Sequence, residues 1–161
     1  MGKQEILVSV IGGHKNDDEV EQLAHKTGEI IAKVGAILVC GGLDGVMRAS
    51  CKGAQEHGGR TIGLLPGTEK ADANPFVDIA IPTSIGYARN VIVACCADVI
   101  VALPGSYGTN SEICYGLVHK RPVIDMGGWD IPGMVPAKDI NDAERLIRDL
   151  VQKIREAREP V

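Results

Sequence analysis

The stretch "DVIVALPGSYGTNSEICYGLVHK", residues 98–120, decides the fold. Its first part, Val99 to Leu103, is an unbroken apolar run stopped by Pro104 and Gly105. Too short for a buried helix and without polar alternation, it reads as a strand covered on both faces. The segment "GTNSEICYGLVHK" (108–120) then takes up a helical pattern. A buried strand that ends in a glycine turn and restarts as a helix is the βα unit of a parallel sheet.

The same alternation runs along the chain. "ILVSVIGG" (6–13) is a strand, followed by a helix in "NDDEVEQLAHKTGEIIAKVG" (16–35). The apolar face of that helix is Val20, Leu23, Ala24, Thr27, Ile31 and Val34, with acids in its first turn and Gly35 at its end. "AILVCGG" (36–42) is the next strand. "DGVMRASCKGAQEHGG" (44–59) is a helix whose small residues Ala49, Gly53 and Ala54 suit close packing on a sheet. "TIGLLPG" (61–67) and "VDIAIP" (77–82) are strands, "GYARNVIVACCA" (86–97) a helix and "PVIDMGG" (122–128) a strand. After a Gly/Pro-rich loop around Trp129, Asn141 opens a last helix with Ala143, Leu146, Ile147, Leu150, Val151 and Ile154 on its apolar face. The expected architecture is α/β: a Rossmann-like, doubly wound, mainly parallel sheet with helices on both faces. Residues 1–161 read as a single Rossmann-like nucleotide-binding domain.

Composition narrows the function. Net charge is −4 with pI near 5.5, which leaves no electrostatic footprint for bulk nucleic acid. Cysteines 40, 51, 95, 96 and 114 are odd in number and form no C-x-x-C, and the four histidines form no H-E-x-x-H. No metal site is expected, and the cysteines read as small buried hydrophobes in a reducing compartment. The N-terminal apolar run is too short for a signal peptide, and Ile6 stands where a myristoylation motif needs Ser or Thr. The longest apolar stretch, Val91 to Leu103, is broken by Asp98 and is too short to span a bilayer. These features point to a cytoplasmic protein without a membrane partner.

In a doubly wound sheet, ligands bind at the carboxyl ends of the strands. Gly12 and Gly13, the trio Gly41, Gly42 and Gly45, and the turn Gly105, Ser106, Gly108 and Thr109 therefore fall on one rim. Glycines there let an anion approach exposed amides at a helix start. Neither G-x-G-x-x-G nor G-x-x-x-x-G-K-[ST] occurs, so the glycines fit a tight βα turn as well as a phosphate cradle. Thr109 and Glu112 match the capping box S/T-x-x-E, which accounts for both residues structurally; a phosphate at the amides near Thr109 would instead leave Glu112 facing the rim. Arg89, near the start of its helix, suits a phosphate, an ion pair with Glu112 or an exposed position. Tyr107 fits base stacking or plain exposure, and Asp98, at the opposite edge, a structural cap.

"GGLDGVM…GAQEHGGRTIGLLP" and "ARNVIVACCADVIVALPGSYGTNSE" resemble the family once labelled lysine decarboxylases. Characterised members are phosphoribohydrolases that release cytokinin bases from nucleotide monophosphates, with the motif P-G-G-x-G-T-x-x-E and an upstream R-K pair. The match runs from about Ile6 to Ile124, and is closest to a short bacterial branch related to DNA-processing protein A and the algal molybdenum cofactor carrier protein. The resemblance implies Arg89 and Glu112 as the catalytic pair, and Gly105, Gly108 and Thr109 as the phosphate turn. Two positions depart from the motif: Ser106 replaces the second glycine and Asn90 the lysine. Both keep binding and count against hydrolysis. The expected function is therefore a carrier or sensor for a small phosphorylated, nucleotide-type ligand; the alternative is a nucleoside 5′-monophosphate phosphoribohydrolase that cleaves the N-glycosidic bond. No cofactor is required; a bound nucleotide monophosphate or molybdenum cofactor is the expected occupant. Pyridoxal chemistry has no support in the chain. The resemblance also implies a homo-oligomer, dimer or tetramer, with the apolar helix Val91 to Ala97 a candidate interface unless it packs on the sheet.

Overall fold

The computed structural model describes residues 4–159; the signal-peptide and myristoylation readings, which involve residues 1–3, lie outside them. Seven strands form one sheet: β1 (Leu7–Ile11), β2 (Ile37–Cys40), β3 (Thr61–Leu65), β4 (Ile79–Pro82), β5 (Val99–Ala102), β6 (Val123–Asp125) and β7 (Val135–Pro136). The order is β4-β3-β2-β1-β5-β6-β7, and every adjacent pair is parallel. Winding proceeds outward in both directions from the centre, so the chain switches direction between β1 and β5, where Val8 pairs with Val99 and Ile11 with Ala102.

Five helices cover the sheet: α1 (Asp18–Lys33), α2 (Val46–Glu56), α3 (Arg89–Cys95), α4 (Tyr107–Val118) and α5 (Ile140–Arg158). Residues of α1, α2 and α5 pack with Val8, Val10, Leu38, Val99, Val101 and Ile124 on one face. On the other, Val93 and Ala94 of α3 and Ile113 of α4 pack with Ile11, Val39, Ile100 and Ala102. Strand alternation thus feeds two aliphatic cores. Helix starts follow from local chemistry: Asp17 caps α1 by accepting from Val20 N, and Asp139 caps α5 by accepting from Asp142 N.

Several expectations change here. The small face of α2 packs on α1 rather than on the sheet. A Cβ on Gly53 would lie 1.9 Å from His25 O, and one on Gly28 would lie 1.9 Å from Ser50 O, so the two helix backbones touch through a pair of glycines. The helix expected over 86–97 splits into a 3-10 turn, Gly86–Ala88, and α3. The last helix begins at Ile140 under an Asp139 cap rather than at Asn141. Strand β7, a two-residue edge strand, went unread because it lies in the Gly/Pro-rich loop. Cys40 and Cys51 are buried, but Cys96 and Cys114 are exposed, since helix-surface positions rather than residue type set their burial. Asp98 is structural: it accepts from Leu7 N at 3.0 Å and pairs with Arg158. Among the described residues no helix is long and apolar enough to cross a membrane.

Candidate functional site

The turns after β1 and β5 leave the sheet at its switch point and are held together there: Gly13 N donates to Pro104 O at 2.9 Å. Glycine is required for this approach. A Cβ on Gly105 would stand 2.1 Å from Thr109 Oγ1 and 2.9 Å from Gly13 N. Gly45 (φ +64°) closes the third turn, with a hypothetical Cβ 2.5 Å from Gly13 O. Above these turns opens a cavity of about 720 Å³.

Of the residues expected at the rim, Gly12, Gly13, Gly41, Arg89, Ser106, Gly108, Thr109 and Glu112 line this cavity. Gly42, Gly45 and Gly105 do not; they shape the turns behind it. Gly42, at φ +79°, lies against Leu65 and Gly63, and its carbonyl accepts from Asn74 N. Gly108 is the opposite case, since the nearest atom to an added Cβ would be Asn90 Nδ2 at 3.6 Å. Packing gives no reason for glycine there, and the space it leaves faces the cavity.

The capping box does not form. Helix α4 starts at Tyr107, with Ser106 as its N-cap making no side-chain cap bond. Thr109 and Glu112 therefore sit inside the helix rather than at its boundary. The first intrahelical amide is Asn110 N, bonded to Ser106 O, and the amides of Tyr107, Gly108 and Thr109 are the donors left over at a helix start. The positive end of the helix dipole coincides with them.

Arg89 is the first residue of α3 and only 6% exposed. Its guanidinium donates to Asn90 Oδ1 and, at 3.3 Å, to Gly41 O. Its Nε is buried with no hydrogen-bond partner among the described residues. A Cβ on Gly41 would lie 2.6 Å from Arg89 Nη2, so that glycine makes room for the arginine. Asn90 donates in turn to Ser111 Oγ (3.3 Å), and Ser111 donates to Gly108 O (2.6 Å). This chain of contacts ties the guanidinium to the first turn of α4.

Glu112 is 7% exposed, and its carboxyl makes no hydrogen bond among the described residues. The other buried carboxyl, Asp125, differs: it accepts from the amides of Gly127, Trp129 and Asp130 and organises its own loop. Burial pushes the Glu112 carboxyl up to about 8, against the opposing pull of Arg89. Burial likewise lowers the Arg89 value. The two groups feel each other's field without forming an ion pair among the described residues. Four of the ten buried polar or charged residues among those described lie here: Arg89, Asn90, Thr109 and Glu112. Buried polar groups left partly unpaired mark a place built for something else to complete. The sequence reading missed His14, Tyr87, Ser111 and Tyr115, which also line the cavity. The spacing Tyr107, Ser111, Tyr115 on one helix face was the available signal.

The sequence pattern of the SLOG cluster4 family (LDcluster4) matches residues 5–156. The chain belongs to the SLOG cluster4 family. This agrees with the superfamily and branch implied by the motif resemblance. An uncharacterised protein of Archaeoglobus fulgidus is 42% identical over 119 residues, 74% of this chain and 78% of its own. A cytokinin riboside 5′-monophosphate phosphoribohydrolase of Mycobacterium marinum is 28% identical over 120 residues, 69% of this chain; the match spans 64% of the hydrolase. Among solved structures, the molybdenum cofactor binding protein of Rippkaea orientalis superposes with a TM-score of 0.85 at 30% identity, covering 93% of this chain and 99% of that one. The molybdenum cofactor carrier protein of Chlamydomonas reinhardtii gives 0.85 at 33% identity, with 92% and 99% covered.

Proposed function

We propose that this protein binds a small phosphorylated, nucleotide-type ligand at the carboxyl edge of its sheet and acts as a carrier or sensor. One observation carries the reading: the uncapped amides of α4, the open space at Gly108 and the buried, under-bonded Arg89 converge on one cavity. Backbone donors at a helix start and a guanidinium are the partners a phosphate monoester requires. The likeness to two proteins named for the molybdenum cofactor supports a carrier role, with that cofactor or a nucleotide monophosphate as cargo. Exposed Ile79, Ile81, Ile85 and Ile92 support a homo-oligomer, while Val93 and Ala94 of the helix first considered for that interface are buried on the sheet.

Mass spectrometry of small molecules released by denaturing the purified protein tests this reading. A phosphorylated ring compound, lost from Arg89→Ala, is the expected result. Cargo without a phosphate would contradict it.

The second reading is a phosphoribohydrolase, favoured by Glu112 within the cavity and by the Mycobacterium marinum relative. Stabilising oxocarbenium-like charge at C1′ requires an ionised carboxylate. A carboxyl pushed up to about 8 is neutral near pH 7, and Asn90 adds no charge, so both observations favour binding over turnover. Incubation with purine and pyrimidine monophosphates, followed by chromatography for free base, separates the two. The carrier reading expects no release; base and ribose 5-phosphate appearing together, and vanishing in Glu112→Gln, would establish the hydrolase.

A further inference from the structure

One wall of the cavity carries its chemistry in order. Helix α4 lines it through its first residues, Tyr107, Gly108 and Thr109, and then through Ser111, Glu112 and Tyr115, which with Gly108 follow the i, i+3/i+4, i+7 spacing of one helix face. The helix start offers free amides. Along the axis, Glu112 lies about 6 Å beyond Gly108, and Tyr115 about 4.5 Å beyond Glu112. Anion donors, a buried carboxyl and an aromatic ring thus follow one another in line. Across the cavity, Tyr87 stands two residues before Arg89 and is close enough for its phenol to act on the guanidinium's charge.

The aromatic residues are distributed unevenly. The chain has three tyrosines, one tryptophan and one phenylalanine. Phe76 and Trp129 pack against the two cores. All three tyrosines line this one cavity, with Tyr87 86%, Tyr107 92% and Tyr115 41% exposed. Rings left this accessible contribute little to core burial, and their faces are available to stack.

We infer that Tyr115 and Tyr87 form a subsite for a planar heteroaromatic ring carried by the same ligand as the phosphate. The inference rests on the anion site proposed above. Phosphate at the amides of α4, a polar linker passing Glu112 and a ring at Tyr115 follow the order of groups along the helix. Stacking on tyrosine tolerates many ring systems, so the subsite selects ring-bearing phosphate esters over ringless ones. Nucleoside monophosphates and phosphorylated pterins share this chemistry.

Calorimetric titration of the full chain with adenosine 5′-monophosphate, 6-hydroxymethylpterin phosphate and ribose 5-phosphate tests the subsite. At least one ring-bearing ester is expected to bind about tenfold to a hundredfold tighter than ribose 5-phosphate, the range of single-base stacking. Which one does so identifies the ring. Tyr115→Ala and Tyr87→Ala should each erase most of that advantage and leave ribose 5-phosphate affinity unchanged, while Tyr115→Phe retains it. Equal binding of ring-bearing and ringless esters, or an equal loss for both in Tyr115→Ala, would overturn the subsite. So would tyrosine variants that change sedimentation but not the affinity ratio, which would show the rings packing on a second copy of the chain. Ribose 5-phosphate binding that disappears in Arg89→Ala keeps the anion site even if the ring subsite fails. Failure of all three ligands to bind the wild type overturns both.

Discussion

Near pH 7 the Glu112 carboxyl keeps its proton, because burial pushes it up to about 8 from the ordinary 4.5 while Arg89 only partly opposes the shift. Between those values the folded chain holds a proton that the unfolded chain has released. Stability therefore falls as pH rises through this window, by up to about 1.4 kcal/mol per pH unit, and levels off above it. Glu112→Gln removes the slope. Urea midpoints should show the variant more stable than wild type at about pH 8, by a few kcal/mol, with little difference near about pH 4. Parallel curves for the two proteins would mean that the carboxyl is solvated and ionised. Anion affinity should decline above about pH 8 in the wild type and not in Glu112→Gln, since only the wild type gains a negative charge beside the cargo. Thr109 shows where residue-scale reading misleads. The pattern Thr109-x-x-Glu112 is a capping signature, but α4 starts earlier, at Tyr107, and neither side chain caps it. Thr109→Ala should accordingly cost less than the ~1 kcal/mol of a lost cap.

The elements themselves were legible wherever periodicity and glycine punctuation agreed. Strands β1 to β6 and helices α1 to α3 lie within the expected stretches, and α4 and α5 each start one residue earlier than expected; parallel strands buried on both faces leave continuous apolar runs. What sequence alone did not disclose is how elements meet. The close approach of α1 and α2, with Gly28 against Ser50 and Gly53 against His25, depends on residues more than twenty positions apart, and no local pattern encodes it. Gly53→Ala should destabilise the fold by about 1–3 kcal/mol or more, read as a lower denaturant midpoint with unchanged m, because the neighbour is backbone and cannot rotate away. The Arg89–Asn90–Ser111–Gly108 chain between α3 and α4 is another such contact. Asn90 accepts from the arginine and donates to the serine, two roles that neither lysine nor aspartate can fill together. Asn90→Asp would pair its carboxylate with Arg89 and compete with the ligand's phosphate. Affinity for a nucleoside monophosphate should fall about tenfold while nucleoside affinity stays the same. Equal effects on both ligands would make Asn90 a packing residue.

Across the whole molecule, the location of the site follows from topology. The sheet order reverses between β1 and β5, and the turns leaving those strands diverge to opposite faces, opening the crevice that holds the cavity. Gly12 and Gly13, Gly41, and the turn after β5 are distant in sequence, and a parallel sheet brings them together because all its strands end on one edge. That much could be read before any coordinates. The split between glycines that line the cavity and glycines that close turns behind it could not, since φ and neighbour distances decide it at Gly42, Gly45 and Gly105. On the proposed function, this crevice recognises phosphate through Arg89 and the α4 amides. Calorimetric titration of adenosine 5′-monophosphate against adenosine, on wild type and Arg89→Ala, measures this recognition. The wild type should bind the monophosphate at least about tenfold tighter than the nucleoside, and Arg89→Ala should collapse this difference while its nucleoside affinity holds. Equal affinity for the two ligands in the wild type, or a difference that survives Arg89→Ala intact, would contradict it.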